Sequence, residues 1–224
     1  MRAMNVVYIH THDTGRCIGP YGFPVSTPNL DRLGHTGTVF RNAYCVSPTC
    51  SPSRSALLTG TYPHWNGMVG LAPRGFRLQN LHQHLARFLG ERGYTTALCG
   101  LQHIAEREDE IGYTHVLADR RRGLDSARAD RKNARVAAEF VRNRGRGPNG
   151  KRGCSEPFFL SFGMRNTHRP FPELREASVS DQTMVLCGMN DTEQNRRGVF
   201  RFCQSVEIVD ECVGMIMEAL ESTG

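Results

Sequence analysis

Apolar and polar positions follow two different periods along this chain. Apolar runs over 5–10, 94–99 and 157–163, and an alternating segment over 38–45, predict β-strands. Helical spacing predicts a helix that begins at Pro28 with Thr27 as its N-cap, and further helices over 52–59, 80–92, 125–141 and 192–220. The segment 142–153 is rich in glycine and charge and predicts a surface loop.

The alternation of strands with helices predicts an α/β fold with a largely parallel central sheet flanked by helices. In sheets of this kind, ligands bind at the carboxyl ends of the strands. Segments with histidine or acidic side chains follow the predicted strands at His12-Asp13, 99–103 and 163–168. We therefore expect a functional site where these segments meet at one edge of the sheet.

The composition is that of a globular chain and narrows the function only slightly. Its 224 residues suit roughly one domain, and 39% hydrophobic with 22% charged residues excludes a disordered or collagen-like protein. The net charge of +6 favours an anionic partner. Nucleic acid, anionic lipid and a sulfated or phosphorylated small molecule all meet that condition, and the charge does not choose among them.

The termini and the cysteines give further expectations. No apolar run approaches the ~18 residues of a membrane span, and the run after Met1 is shorter than the ~7 residues of a signal peptide. We expect a cytoplasmic chain, or a periplasmic or secreted one if the true start lies upstream. Although there are eight cysteines, none forms a C-x-x-C pair, so a zinc ribbon is not indicated.

The stretch from Cys50 to Gly60 places three chemical features within a few residues. Pro52 is typical of a helix start, and the amide groups and dipole of a helix N-terminus attract an anion. Arg54 lies four residues after Cys50, and its guanidinium matches the oxygens of a sulfate or phosphate. A nucleophile, an anion-binding helix end and a cation are therefore expected together.

This stretch resembles the sulfatase signature C-x-P-S-R-x-x-L-x-T-G at every specified position. The segments T-P-N-L-D-R-L at 27–33 and Y-P-H at 62–64 also match, and His168 in N-T-H-R-P-F resembles the family's substrate-facing histidine. Residues 66–71 and 167–169 resemble the heparan N-sulfatase (N-sulfoglucosamine sulfohydrolase) branch. The resemblance implies an alkaline-phosphatase-like sandwich, and a sulfuric ester or N-sulfate hydrolase.

The resemblance also implies roles for individual residues. A separate formylglycine-generating enzyme would convert Cys50 to formylglycine, which Arg54 would hold in place. His103 would help to activate the aldehyde hydrate or expel sulfate, and His168 would protonate the leaving group. A divalent cation, by family precedent calcium, would bind Asp13, His12 and Cys50.

Two positions depart from the family pattern. His12 stands where the family has the first of two aspartates, and an imidazole is a poor calcium ligand. Leu101 stands where the family has a lysine, so a cation toward the sulfate is missing, although Gln102 could donate a neutral hydrogen bond.

We interpret residues 1–224 as the amino-terminal part of a sulfatase catalytic domain, whose carboxyl-terminal part and subdomain are absent. The family's second acidic pair is not found, since Asp210-Glu211 lies within a helical pattern. Because Asp13 alone cannot build a calcium site, we expect little or no activity from this chain.

Alternatives remain open. A phosphohydrolase or phosphonate ester hydrolase of the same superfamily would act on phosphorus. A non-catalytic remnant or binding module would use the basic segment that contains Arg142, Arg144 and Arg146. A thiol hydrolase would pair Cys50 with His168. The sulfatase hypothesis predicts a sulfated small molecule or saccharide as the partner, and neither nucleic acid nor a membrane.

Overall fold

The computed structural model describes residues 4–117, 125–145, 156–173 and 184–223. Its centre is a four-stranded sheet in the order β1-β4-β2-β3, and all of the paired strands run parallel. The strands are β1 (Val6–His10), β2 (Thr95–Gly100), β3 (His115–Val116) and β4 (Phe158–Gly163). The helices are α1 (Pro28–Thr36), α2 (Cys50–Thr59), α3 (Pro63–Asn66), α4 (Leu85–Gly90), α5 (Ser126–Gly145) and α6 (Glu193–Thr223).

The central strand β4 shows why the molecule forms layers. Successive side chains of a strand point to opposite faces, and β4 is apolar on both. Phe158, Leu160 and Phe162 pack in one cluster with residues of α5 and α6. Phe159 belongs to a second cluster, which includes Leu58 of α2 and Ala86 of α4. Helices therefore cover both faces of the sheet, which confirms the predicted α/β sandwich.

Most of the predicted elements form, with shifted ends. The strands predicted at 5–10, 94–99 and 157–163 are confirmed as β1, β2 and β4. The helix predicted from 52 begins two residues earlier, at Cys50, and the helix predicted over 125–141 continues to Gly145. That extension occupies the start of the predicted loop 142–153, and the remainder of this loop lies outside the described residues.

Two predictions are wrong. The segment 38–45 forms turns and irregular backbone rather than a strand, and Phe40 and Tyr44 are exposed. The helix predicted over 80–92 is divided into a short turn at Leu81–Gln83 and α4. The break occurs at His84, because its extended backbone lets Nδ1 accept a hydrogen bond from the Ala86 amide and cap α4.

The buried carboxylate of Asp210 ties α6 to the N-terminus of α1. Its oxygens accept hydrogen bonds from the amides of Asn29 and Leu30 at 3.3 and 2.8 Å, and from Asn29 Nδ2 at 2.9 Å. A helix N-terminus has amide groups without helical partners, and a carboxylate there also interacts favourably with the helix dipole. Asp210 therefore has a structural role within α6, consistent with the helical interpretation of that segment.

Among the residues that the structure describes, none of the helices has the length and apolar character needed to cross a membrane. The longest of them, α6, buries one apolar stripe against α5 and the sheet, including Val206, Val209 and Val213. Its charged residues Glu207, Glu218 and Glu221 fall outside that stripe.

Candidate functional site

The carboxyl ends of the three longer strands meet at one edge of the sheet, as predicted. Backbone hydrogen bonds join the segments that leave these strands. The His12 amide donates to the Asn166 carbonyl at 3.0 Å, and the Thr167 amide donates to the His12 carbonyl at 2.8 Å. The Leu101 amide donates to the Gly163 carbonyl at 2.8 Å. These bonds bring the segments that contain His12, His103 and His168 together.

Three imidazole rings form the centre of this site. His12 Nε2 lies 3.4 Å from His103 Nδ1, and the His12 ring meets the His168 ring edge to face, with centroids 4.5 Å apart. His12 is 4% exposed, and its Nδ1 donates to Asp13 Oδ1 at 2.9 Å. Asp13 and His103 have φ angles of 59° and 57°, which non-glycine residues rarely adopt. Strained backbone of this kind is often found at functional sites.

Cys50 reaches the same cluster from α2. Thr49 occupies the N-cap position, and its carbonyl accepts from the Ser53 amide at 3.0 Å, so Cys50 lies in the first turn. The thiol sulfur and one ring nitrogen each of His12 and His103 lie within 4.8 Å of one another. The first amides of a helix have no helical acceptors, so this end can receive an anion.

Arg54 joins the start of α2 to the end of β1. One guanidinium nitrogen donates to His10 Nδ1, and Nη2 donates to the Thr11 carbonyl at 3.0 Å. The side chain is 9% exposed, and within the described part of the chain its Nε has no hydrogen-bond partner. The ring of His10 stacks on Tyr8 with centroids 4.8 Å apart. These contacts fix the orientation of the guanidinium beside Cys50.

The surroundings lower the pKa of three histidines near Cys50. Burial, followed by the electrostatic effects of His12 and Arg54, lowers the pKa of His103 to about 4. Burial and then Arg54 lower the pKa of His10 well below its usual value. Burial also lowers the pKa of His12, although Asp13 opposes this effect. Neutral imidazoles offer lone pairs for a proton or a metal ion.

The loop that carries His168 is fixed by Asp130 of α5. The Asp130 carboxylate accepts from the Arg165 amide at 2.9 and 3.0 Å, from the Asn166 amide at 2.8 Å and from Asn166 Nδ2 at 2.7 Å. His168 is exposed, and its Nδ1 lies 2.5 Å from the Arg169 carbonyl. Because a carbonyl only accepts, Nδ1 carries the proton, and Nε2 is the atom free to exchange one.

Residue by residue, the structure brings together Cys50, Arg54, His12, Asp13, His103 and His168. Their roles remain predictions. The expected hydrogen bond from Gln102 to an anion does not fit, because Gln102 folds back onto its own turn: Oε1 accepts from the Ala105 amide at 2.9 Å, and Nε2 donates to the Ala105 carbonyl at 2.6 Å.

Sequence reasoning missed His10 and Asp130. His10 is the last residue of β1, two residues before His12, so its place at the carboxyl end of a predicted strand is the signal that could have identified it. Asp130 is one of several polar residues in a helical pattern, so the sequence contains no signal for its role.

The donors of this site do not suit calcium. Within the described residues, the groups that could share a metal ion are His12 with Cys50 and His103, and His12 with Asp13 and His168. Asp13 supplies their one carboxylate, and 59% of its side chain is exposed. Calcium takes ~6–8 oxygen ligands, which imidazole and thiol groups do not provide.

Comparison with known proteins agrees with the geometry. The family model described as Sulfatase matches residues 4–224. The chain is 40% identical over 106 residues to an N-acetylgalactosamine-6-O-sulfatase of Bacteroides thetaiotaomicron. The aligned region covers 45% of this chain and 20% of that protein. The chain is 35% identical over 106 residues to the human N-sulphoglucosamine sulphohydrolase, covering 46% and 21%.

Solved structures share the fold. BT1596, a 2-O GAG sulfatase, superimposes with a TM-score of 0.69 at 21% identity, covering 98% of this chain and 54% of that chain. The phosphonate monoester hydrolase of Agrobacterium radiobacter superimposes with a TM-score of 0.69 at 18% identity, covering 99% of this chain and 60% of that chain. The chain therefore spans less than two thirds of the length of these proteins.

Proposed function

This chain belongs to the sulfatase family, and we propose that the edge of its sheet is the site at which a sulfate ester or an N-sulfate is hydrolysed. The observation that carries the proposal is the placement of Cys50 in the first turn of α2, next to an anchored Arg54 and the imidazoles of His12 and His103. Membership of the sulfatase family supports hydrolysis of a sulfate ester, and the activity, the roles of the residues and the N-sulfate alternative are proposals for this chain.

The nucleophile is proposed to arise at position 50. Formylglycine made from Cys50 would supply the hydrated aldehyde whose oxygen attacks sulfur. The thiol is half-buried beside the His12 and His103 rings, and its C-x-P-S-R context is the family signature. A formylglycine-generating enzyme is the partner that this modification requires.

Arg54 is proposed to bind the sulfate oxygens. Its guanidinium is oriented by hydrogen bonds to His10 and Thr11, so little side-chain freedom is lost when an anion arrives. Hydrogen bonds from a charged donor contribute about 1.5–3 kcal/mol each, which makes Arg54 the main source of affinity for the anion. The amide groups at the start of α2 add to this attraction.

Two histidines are proposed to move protons. With a pKa of about 4, His103 is neutral at pH 7 and can accept a proton from the attacking hydroxyl. His168 keeps its Nδ1 proton on the Arg169 carbonyl, so a second proton, taken up on Nε2 to give the imidazolium, is the one that would pass to the leaving oxygen or nitrogen. Its exposed position at the rim of the site suits contact with the departing group.

The groups available for a divalent cation depart from the family pattern. The family precedent places calcium on Asp13, His12 and Cys50, and these donors do not form an oxygen cage. No step is derived through calcium. We expect little or no turnover from the 224-residue chain because its described donor groups include only Asp13 as a carboxylate. The place of residues 1–224 in a longer catalytic domain stays a prediction.

The proposed substrate is a sulfated saccharide or a sulfated small molecule. Relatives of this chain are sulfatases of N-acetylgalactosamine and of N-sulphoglucosamine by name, and the net charge of +6 suits a sulfated ligand. A phosphonate monoester hydrolase shares this fold, so hydrolysis of a phosphorus ester is the alternative function proposed for this site.

The experiment compares 4-nitrophenyl sulfate with 4-nitrophenyl phosphate. Binding of both is measured by calorimetry on the purified chain, and turnover is followed in parallel. We expect tighter binding of the sulfate and its loss in an Arg54→Gln variant, while Arg92→Gln, an exposed arginine on a distant turn, leaves it unchanged. Preferential binding of the phosphate, or sulfate binding that survives Arg54→Gln, would overturn the proposal.

A further inference from the structure

We infer that a cleft beside His103 binds the sugar ring of the substrate together with a second anionic group, which the guanidinium of Arg165 receives. This rests on the proposed function, because the sulfate that is cleaved is taken to lie at position 50. It narrows the substrate class to a saccharide that carries a further sulfate or carboxylate close to the sulfate ester or N-sulfate.

The cleft opens next to the proposed reaction centre. Its volume is about 430 Å³, within the ~300–1,000 Å³ that is typical of small-molecule sites. His103 lies in its wall, and the same ring contacts His12 and lies near the Cys50 sulfur. A saccharide whose sulfate reaches position 50 would therefore extend into this cleft.

Arg165 gives the cleft an available positive charge. The Asp130 carboxylate accepts hydrogen bonds from the Arg165 amide, which fixes where the side chain begins. The side chain is exposed and lines the cleft, and it makes no ion pair or hydrogen bond with the residues that the structure describes. Its charge reaches the site, since Arg165 is among the groups that lower the pKa of His103. A guanidinium in this position suits a sulfate or a carboxylate.

Asn133 adds an unsatisfied acceptor to the wall of the cleft. This residue of α5 is 9% exposed, and within the described part of the chain its Oδ1 has no hydrogen-bond partner. The Cys99 thiol donates to the Asn133 carbonyl at 3.2 Å and so holds this turn of α5 against β2. A buried polar atom without a partner is costly, and a hydroxyl or amide group of a sugar would satisfy it.

The remaining groups of the cleft favour a sugar with one further anionic group over a polyanion. Glu106 and Glu108 also line it, and carboxylates accept hydrogen bonds from sugar hydroxyls. Because carboxylates repel other negative charges, a second anionic group is expected only beside Arg165. Pro73 and Leu101 supply apolar surface for the carbon skeleton.

The experiment measures, by calorimetry on the 224-residue chain, the affinity for probes that differ in their second anionic group. N-acetylglucosamine 6-sulfate and glucosamine 2-N-sulfate each carry one sulfate, and glucosamine 2-N,6-O-disulfate carries two. A disaccharide of glucuronate and N-acetylglucosamine 6-sulfate carries one sulfate and one carboxylate. The reference, 4-nitrophenyl sulfate, has no sugar ring.

We expect a probe with two anionic groups to bind about tenfold or more tightly than the one-sulfate sugars, which is the size of one charge-assisted hydrogen bond. A gain with the disulfate alone assigns the second group as a sulfate, and a gain with the disaccharide alone assigns it as a carboxylate. Either result supports the inference.

Variants assign the residues. Arg165→Gln should remove the gain from the second anionic group, and Arg165→Lys should retain only part of it, because lysine keeps the charge but lacks the planar fork. Arg92→Gln, at an exposed arginine on a distant turn, is the control and should keep the whole gain. Asn133→Ala should lower the ratio of sugar affinity to 4-nitrophenyl sulfate affinity by about threefold or more. Urea unfolding checks the fold of each variant.

Equal affinity for probes with one and two anionic groups, or a gain that survives Arg165→Gln, would overturn the inference. Its failure is separable from that of the proposed function. If 4-nitrophenyl sulfate binding depends on Arg54 while a second anionic group adds nothing, only this inference fails. If the gain depends on Arg165 while sulfate binding survives Arg54→Gln, only the proposed function fails.

Discussion

Replacing Asp130 by asparagine should destabilise the protein and disturb the loop that carries His168. The Asp130 side chain is 2% exposed, and its carboxylate receives three donors: the Arg165 amide, the Asn166 amide and Asn166 Nδ2. An asparagine keeps one acceptor oxygen but loses the charge, and its amide group faces the Arg165 amide as a second donor.

The expected magnitude follows from these bonds. A hydrogen bond to a charged group contributes about 1.5–3 kcal/mol, and one between neutral groups about 0.5–1.5 kcal/mol. Converting three charge-assisted bonds to neutral ones removes about 3–4.5 kcal/mol. Burial raises the pKa of the Asp130 carboxyl, so removing the buried charge offsets part of this loss, and the net decrease in the free energy of unfolding is about 2–3 kcal/mol. Asp130→Ala should cost more, because all three buried donors then lack an acceptor.

Asp210 offers a matched control. Its side chain is 4% exposed and receives the same kinds of donor, namely two backbone amides and one asparagine side chain, at the start of α1. Asp210→Asn should lower stability by a similar amount without affecting the site. The assay is urea unfolding, combined with nuclear magnetic resonance of the His168 imidazole.

Only Asp130→Asn should shift the resonances of His168, because Asp130 binds residues 165 and 166 of the same loop. A stability loss below about 0.5 kcal/mol for Asp130→Asn, the size expected of a surface substitution, would refute the reasoning. Equal His168 shifts in the two variants would refute it as well.

Three further predictions concern stability and binding. Burial lowers the pKa of His84 to about 4, so the folded protein holds this ring in its neutral form at neutral pH. The free energy of unfolding should therefore fall by about 3 kcal/mol as the pH falls from 6.5 toward 4. His84→Asn, which keeps an acceptor for the Ala86 amide, should flatten that pH dependence in urea unfolding, and an unchanged profile would contradict this. Arg54→Lys should weaken aryl sulfate binding by about tenfold or more in calorimetry, because lysine lacks the planar fork; equal affinity would count against a bidentate role. Gly163→Ala should lower the free energy of unfolding by at least about 3 kcal/mol, because the new Cβ would overlap the Leu101 carbonyl and the His10 ring. Gly198→Ala is the control: its Cβ would meet nothing within 4 Å, so this variant should be neutral or stabilising in the same unfolding assay.

Complete burial made β4 the strand that the sequence predicts most directly. Strand β4 is buried at every position, so its continuous apolar run had one reasonable interpretation. The alternating segment 38–45 resembled a strand equally well, but strand formation also needs a partner strand, which local alternation does not specify. At 80–92 the amphipathic spacing was correct for the face that packs, while the cap formed by His84 interrupts the helix.

Some contacts of the candidate site can be predicted from the sequence, whereas others depend on tertiary packing. Cys50 and Arg54 lie four residues apart, and a single motif contains both of them. The meeting of His12, His103 and His168 was expected from strand ends, although their separations depend on the parallel register of β1, β2 and β4. The contact of Arg54 with His10 joins positions 44 residues apart. The bonds from Asp130 to the 165–166 backbone arise from the docking of α5, which no local pattern records.

The most direct test of the central claim is the mass of the tryptic peptide 42–54 after co-production of the chain with a formylglycine-generating enzyme. This peptide contains both Cys45 and Cys50, so Cys45 is an internal control for general oxidation. The account predicts the aldehyde at position 50 and an unchanged thiol at position 45. Cys50 recovered entirely as a free thiol, or oxidation shared equally by both cysteines, would contradict it.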